Sequence, residues 1–252
     1  MSLLRPGLCS VTLRHSSPDR VIRLAAAAGL HGVEWGADVH APPGGELADL
    51  AARTRAAGLA VCSYGTYWRA TPEDPGHDVL AAARALGCRR LRVWAGTTGS
   101  ADASTGDRAA VAGRVQQLAD LTAEDGLELA FEHHDGTLAD TVPSTLDLLA
   151  AVDRPNVGTY WQPRVGDPTE SALAGLADLL PHVRAVHVFS WWPALERLRL
   201  EERSELWTSA IELLASTGRP LDLLLEFLPG DDETLLSGEA DRLRTWIAQA
   251  GR

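Results

Sequence analysis

The chain has 252 residues, 45% hydrophobic and 23% charged, a globular balance at about the length one α/β barrel needs. Its 34 acidic residues against 23 basic ones leave a net charge of −11, and every basic residue is an arginine. With no lysine amine the chain cannot be a Schiff-base aldolase, a lysine-anchored pyridoxal phosphate enzyme or a P-loop NTPase. The acidic balance argues against nucleic acid as a partner, because that binding is driven by basic surface neutralising phosphates.

Cys9, Cys62 and Cys88 form no CxxC pair and have no metal-type spacing, which fits reduced, buried thiols in a cytoplasmic protein. The opening run SLLRPGLCSV turns polar too soon for a signal peptide. No window approaches 18 consecutive apolar residues, so no membrane partner is expected.

Short β-rich apolar runs alternate with longer stretches of helical periodicity. The first run begins at Gly7 (GLCSVT); a helix then opens with Ser17 as cap and Pro18 in its first turn, and Gly29 closes it. GVEW from Gly32 precedes a helix over Glu46 to Ala57 with Gly58 behind it, and LAVCSY from Leu59 precedes His77 to Leu86 with Gly87. RLRVWA from Arg90 leads to Arg108 to Glu124, ending before Gly126, and LELAFE from Leu127 leads to Thr145 to Val152. NVGTYW from Asn156 is followed by Glu170 to Leu180, VRAVHVF from Val183 by Arg203 to Ser216, and LDLLLEF from Leu221 by Glu233 to Ala250. Glycine after the last helical residue recurs as punctuation. Eight βα units with no linker between them predict a single (β/α)8 TIM barrel domain over residues 1–252. A doubly wound sheet usually shows fewer units and often carries GxGxxG after its first strand, which this chain lacks.

In such a barrel the chemistry belongs at the carboxyl ends of the strands. The fifth run ends in Glu132-His133-His134-Asp135, the seventh passes through His187, and the eighth ends at Glu226. Glu226 is the most informative, because a carboxylate beside Leu223, Leu224, Leu225 and Phe227 is costly to bury unless it is paired or bound to a metal. An ordinary ion pair with an arginine is the plainer explanation of it. Aromatic residues gather at the same places: Trp35, Trp68, Trp94, Trp161 and Trp191 lie in or just after predicted strands, where they can wall a pocket against water. Strand propensity accounts for part of that bias.

The segments GLHGVEWGADVH (29 to 40), AFEHHDGTLADT (130 to 141), VGTYWQP (157 to 163), VRAVHVFSW (183 to 191) and LLLEF (223 to 227) together resemble the xylose-isomerase-like TIM barrels, the group of sugar and sugar-phosphate isomerases and epimerases. The resemblance runs along essentially the whole chain, one motif per strand end. It implies a divalent metal held by Glu132, Gln162, His187 and Glu226, with Gln162 departing from the aspartate most common at its position. An amide oxygen can still ligate a hard cation but brings no charge. Mixed oxygen and nitrogen ligation suits Mn²⁺, Mg²⁺ or Co²⁺ without choosing firmly among them, and Mn²⁺ is the ion expected first.

The implied reaction is proton transfer next to a carbonyl through a metal-stabilised enediolate, with Glu132 and Glu226 as the acid/base pair. On this resemblance Glu34, His40 and His134 join the tryptophans as substrate-binding candidates. Glu34 could equally pair with Arg14, and His40 could equally be a plain loop histidine. Arg164 could meet an anionic substrate or sit solvated in its loop. The expectation is a cytoplasmic, metal-dependent isomerase or epimerase of a sugar or polyol; such barrels often form homo-oligomers, but no self-complementary patch in the sequence argues for one. The alternatives are a lyase on the same scaffold, either an inosose-type dehydratase or a C-glycoside-cleaving enzyme, and a barrel whose metal site Gln162 has degraded.

Overall fold

A computed structural model describes residues 3–251. Eight parallel strands close on themselves in the spatial order β1 (Leu4–Cys9), β10 (Leu221–Leu225), β7 (Val183–Val188), β6 (Val157–Trp161), β5 (Glu128–Phe131), β4 (Arg90–Val93), β3 (Ala60–Gly65) and β2 (Gly32–Gly36). Each is followed by a helix: α1 (Pro18–Ala27), α2 (Leu47–Ala56), α3 (His77–Leu86), α4 (Thr105–Ala123), α5 (Val142–Val152), α6 (Thr169–Leu179), α7 (Ser204–Ala215) and α8 (Leu236–Ala250). The chain is therefore a (β/α)8 barrel, as its alternation of patterns predicts.

The boundaries differ from the sequence expectation where local hydrogen bonding extends an element. Strand β1 starts at Leu4 rather than Gly7, because Leu4, Arg5 and Pro6 stand in register with Leu221, Asp222 and Leu223 and close the barrel. Helix α4 starts at Thr105 rather than Arg108. There the Ser104 hydroxyl accepts from the Asp107 amide at 3.1 Å while the Asp107 carboxylate accepts from the Ser104 amide at 2.9 Å, a reciprocal capping box. The Thr141 hydroxyl caps α5 by accepting from the Ser144 amide at 3.4 Å, so that helix begins at Val142 rather than Thr145. Glu233, expected at the head of the last helix, lies instead in a 3₁₀ turn and pairs with Arg20. A two-stranded antiparallel ribbon, β8 (Ser190–Trp191) with β9 (Arg197–Leu198), follows β7 and has no counterpart in the expectation.

Most of the core lies between strands and helices, while the barrel interior is built in layers by the two-residue period of its strands. The middle layer is small and apolar, with Cys62, Ala130, Tyr160, Ala185 and Leu224. Two residues further along their strands, Ala130, Tyr160, Ala185 and Leu224 give way to Glu132, Gln162, His187 and Glu226 at the carboxyl end. Two residues earlier, Ala130 and Leu224 are preceded by Glu128 and Asp222 at the amino end. The same alternation sends Trp35 and Trp161 outward into the helix layer, where Trp161 packs edge-on against Trp207 of α7 at 5.8 Å.

The capping box of α4 gives a direct test. Replacing Ser104 by Ala removes an acceptor from the first turn of a 19-residue helix. It should lower the unfolding free energy in urea by about 1 kcal/mol without changing the slope of the transition.

Candidate active site

Glu34 sits at the centre of the upper interior, fully enclosed. One carboxylate oxygen accepts from the Ser63 hydroxyl and from the Tyr160 phenol, each at 2.6 Å. The other faces His187 Nε2 at 3.2 Å, the Cys9 thiol at 3.5 Å and Arg92 Nε at 3.4 Å. Burial by itself favours the neutral acid, but the Arg92 guanidinium and the His187 and Ser63 hydrogen bonds outweigh it and hold the carboxyl well below the usual range. Gly65 of β3 makes room for this cluster, since a Cβ there would lie 2.8 Å from Arg92 Nη2 and 3.0 Å from Glu34 Oε1.

His187 is held at both nitrogens. With Nε2 on Glu34, its Nδ1 lies 2.9 Å from Gln162 Oε1 and 3.3 Å from Glu226 Oε2. Burial alone would lower the imidazole pKa; Glu226 and Glu34 reverse that and raise it. Glu226 is shifted toward its protonated form, first by burial and then by Glu132 and Glu34, against the pull of His187 and Arg92. Glu132 is ion-paired through one oxygen to Arg92 Nη1. Ligand atoms of Glu132, His187 and Glu226 all lie within 4.8 Å of one another.

This donor set fits a divalent cation. The two carboxylates and the Gln162 oxygen are hard ligands, and His187 Nδ1 faces the same space. The anchoring of Nε2 by a carboxylate is the arrangement that fixes the orientation of metal-binding histidines.

Glu132, Gln162 and Glu226 form the floor of a cavity of ≈ 250 Å³, lined also by Arg14, Tyr67, His133, Arg164, Phe189 and Phe227. Of the residues singled out in the sequence, Glu132, Gln162, Glu226, Trp94, His134 and Trp191 line it, and His187 stands immediately behind. Trp94 stacks against His134 at 4.1 Å, with Arg69 over its ring at 4.0 Å.

Five of the proposed substrate contacts do not reach this cavity. Glu34 lies beneath it, bound to Arg92 rather than Arg14. Trp35 and Trp161 point outward by strand alternation, and Trp68 is buried with its indole N–H donated to the Asp74 carbonyl at 3.1 Å. His40 is spent on Ser10 Oγ at 3.1 Å and the Ser16 carbonyl at 3.0 Å, which ties the loop after β2 to the segment after β1.

Arg92 is the residue the sequence reading missed; His133, noted there at the end of the fifth run but not as a substrate contact, also lines the cavity. The pattern Arg90-Leu91-Arg92-Val93 already put both arginines on one face of a strand, and in a closed barrel that face is the interior. His133 lines the cavity beside Glu132 because β5 ends at Phe131, so strand alternation no longer turns it away.

The family profile described as xylose isomerase-like TIM barrel matches residues 22–164, more than half the chain. The protein belongs to that family. A 3-dehydroshikimate dehydratase of Bacillus anthracis is 41% identical over 68 residues, which is 27% of this chain and 24% of that protein. The match thus spans about a quarter of the relative's length. Among solved structures, a probable 3-DHS dehydratase of Bacillus anthracis involved in petrobactin synthesis superposes with a TM-score of 0.76 at 21% identity, over 95% of this chain and 98% of that one. An L-ribulose 3-epimerase superposes with a TM-score of 0.72 at 16% identity, over 98% and 94%. A xylose isomerase-like TIM barrel protein from Mycobacterium smegmatis, in complex with magnesium, gives 0.71 at 15% identity over 98% of each chain. The structures that share this fold thus include an epimerase and a probable dehydratase.

His133 gives a pH prediction. Burial, with the nearby Arg164 charge, pushes its imidazole down from 6.5 to about 4. Between those values the unfolded chain binds the extra proton, so the contribution is complete above pH 6.5 and fades as pH falls toward 4. In urea unfolding across that range, His133→Gln should flatten the acid-side loss of stability by up to about 3 kcal/mol. Identical pH slopes in the two proteins would refute the assignment.

Proposed function

We propose that this protein is a divalent-metal-dependent enzyme that moves a proton on a carbon next to a carbonyl in a small polyhydroxylated substrate, as an isomerase or epimerase. The convergence of Glu132, His187 and Glu226 at the floor of an aromatic-walled cavity carries this reading. Glu132, Gln162, His187 and Glu226 would hold the metal. Mn²⁺ suits the set best, with Mg²⁺ or Co²⁺ as alternatives, and the bound ion supplies Lewis-acid polarisation of adjacent substrate oxygens.

The two carboxylates are unequal, which suits an acid/base pair. Arg92 binds one oxygen of Glu132 and fixes that carboxylate in place. Burial and the charges of Glu132 and Glu34 raise the proton affinity of Glu226, which suits a base that takes a proton from carbon. Return of a proton to the neighbouring carbon gives isomerisation, and to the opposite face of the same carbon gives epimerisation. Tyr67, Trp94, Trp191 and Phe227 exclude water from the reacting carbon and offer flat surfaces to a ring. The reading takes the substrate to be a sugar or polyol, and the enzyme to be a cytoplasmic one.

A second reading, dehydration on the same scaffold, is favoured by the 41% identity to a dehydratase over 68 residues and by Arg14 and Arg164, both exposed at the cavity rim. The first step is the same proton abstraction. Loss of a β-hydroxyl as water then replaces proton return, and the rim arginines would meet an anionic group on the substrate.

Solvent exchange separates these outcomes. Mn²⁺-loaded protein in D₂O, offered a panel of ketoses and 3-dehydroshikimate, should incorporate deuterium next to the carbonyl in the first reading, or release a conjugated, ultraviolet-absorbing product in the second. Glu226→Gln should lower either rate about 10²–10⁴-fold with the melting temperature little changed. Neither outcome with any substrate, or full turnover by Glu226→Gln, would contradict the proposal.

A further inference from the structure

The opposite mouth of the barrel holds a second cavity, of ≈ 190 Å³, lined by Arg5, His31, Cys62, Arg89, Arg90 and Asp222 among others. It lies at the amino ends of the strands, the end that in this architecture ordinarily serves stability rather than chemistry. Its charge is unbalanced. Asp222 is bridged by Arg5 at 2.8 Å and Arg90 at 3.1 Å, and Glu128 stands 3.7 Å from Arg90 and 3.8 Å from the adjoining Arg184. Two carboxylates thus serve three guanidinium groups. Arg89 adds a fourth, exposed and with no side-chain hydrogen bond or ion pair among the described residues. Local cationic excess is conspicuous on a chain whose net charge is −11.

Arg90 shows what that excess is for. Its side chain is 6% exposed, and its buried Nε makes no hydrogen bond, the Glu128 carboxylate standing 3.7 Å from it as an ion-pair partner only. Taking a guanidinium out of water without filling its donors is costly, and nearby surplus cations raise that cost. A small anion entering the cavity would offset both.

We propose that this cavity is a binding site for a compact multivalent oxyanion, of the phosphate or small polycarboxylate type, held by Arg89 and Arg90 with Arg5 beside them. Guanidinium groups recognise both anion types through paired N–H donors. The site lies at the other end of the barrel from the candidate active site and does not depend on the function proposed for it.

The test follows the melting temperature of the full chain during titration with inorganic phosphate and, separately, citrate, with sodium chloride matching the ionic strength. We expect saturable stabilisation by at least one of the two oxyanions, and which one saturates identifies the source. Arg89→Gln removes an exposed side chain that makes no hydrogen bond or ion pair among the described residues, so the variant should fold normally while needing about tenfold more anion for half-saturation. Arg164→Gln, at the opposite cavity, should leave the titration unchanged. No saturable effect beyond chloride, an unaltered response in Arg89→Gln, or loss of the response in Arg164→Gln would each overturn the proposal.

Discussion

The carboxylate of Glu34 is the constraint around which the upper half of the barrel is organised. It is a negative charge with no exposure to water, tolerable only because donors from β1, β3, β4, β6 and β7 converge on it through Cys9, Ser63, Arg92, Tyr160 and His187. Five strands are thereby tied to one side chain. The consequence for the site is directional. Because Glu34 takes His187 Nε2, the other ring nitrogen is left toward Gln162 and Glu226, at the floor of the cavity. Because Arg92 lies between Glu34 and Glu132, it fixes the second carboxylate as well.

Polar chemistry at both ends of this barrel comes from one geometrical rule. Inward positions recur every second residue, so β10 presents Asp222, Leu224 and Glu226 to three successive levels, and β5 presents Glu128, Ala130 and Glu132. The apolar middle level, with Tyr160 and Leu224, separates an arginine-rich lower mouth from a carboxylate-rich upper one. A −11 chain can therefore hold a locally cationic cavity and a separate candidate cation site within one interior.

The fold was legible in the sequence because its signals are local. Apolar runs, helical periods and terminal glycines mark each βα unit, and Gly29, Gly58, Gly87 and Gly126 do adopt the left-handed conformation that ends a helix. The floor of the site was legible because Glu226 interrupts an apolar run, and its partner proves to be His187, 3.3 Å away, rather than an arginine. Arg92 was not, since an arginine on a strand resembles a solvated edge until closure of the barrel makes that face interior. The tryptophans misled for a related reason. Proximity to a strand end says nothing of which face a side chain takes, so Trp35 and Trp161 fall outside the cavity while Trp94 and Trp191 line it.

The dependence of the site on Glu34 is most directly tested by calorimetric titration of Mn²⁺ into the wild-type protein and Glu34→Gln, with circular dichroism showing both folded. An unanchored His187 should weaken binding about 10–100-fold, although Glu34 would not itself touch the ion. Equal affinity in the two proteins, or no binding to the wild type, would contradict the account.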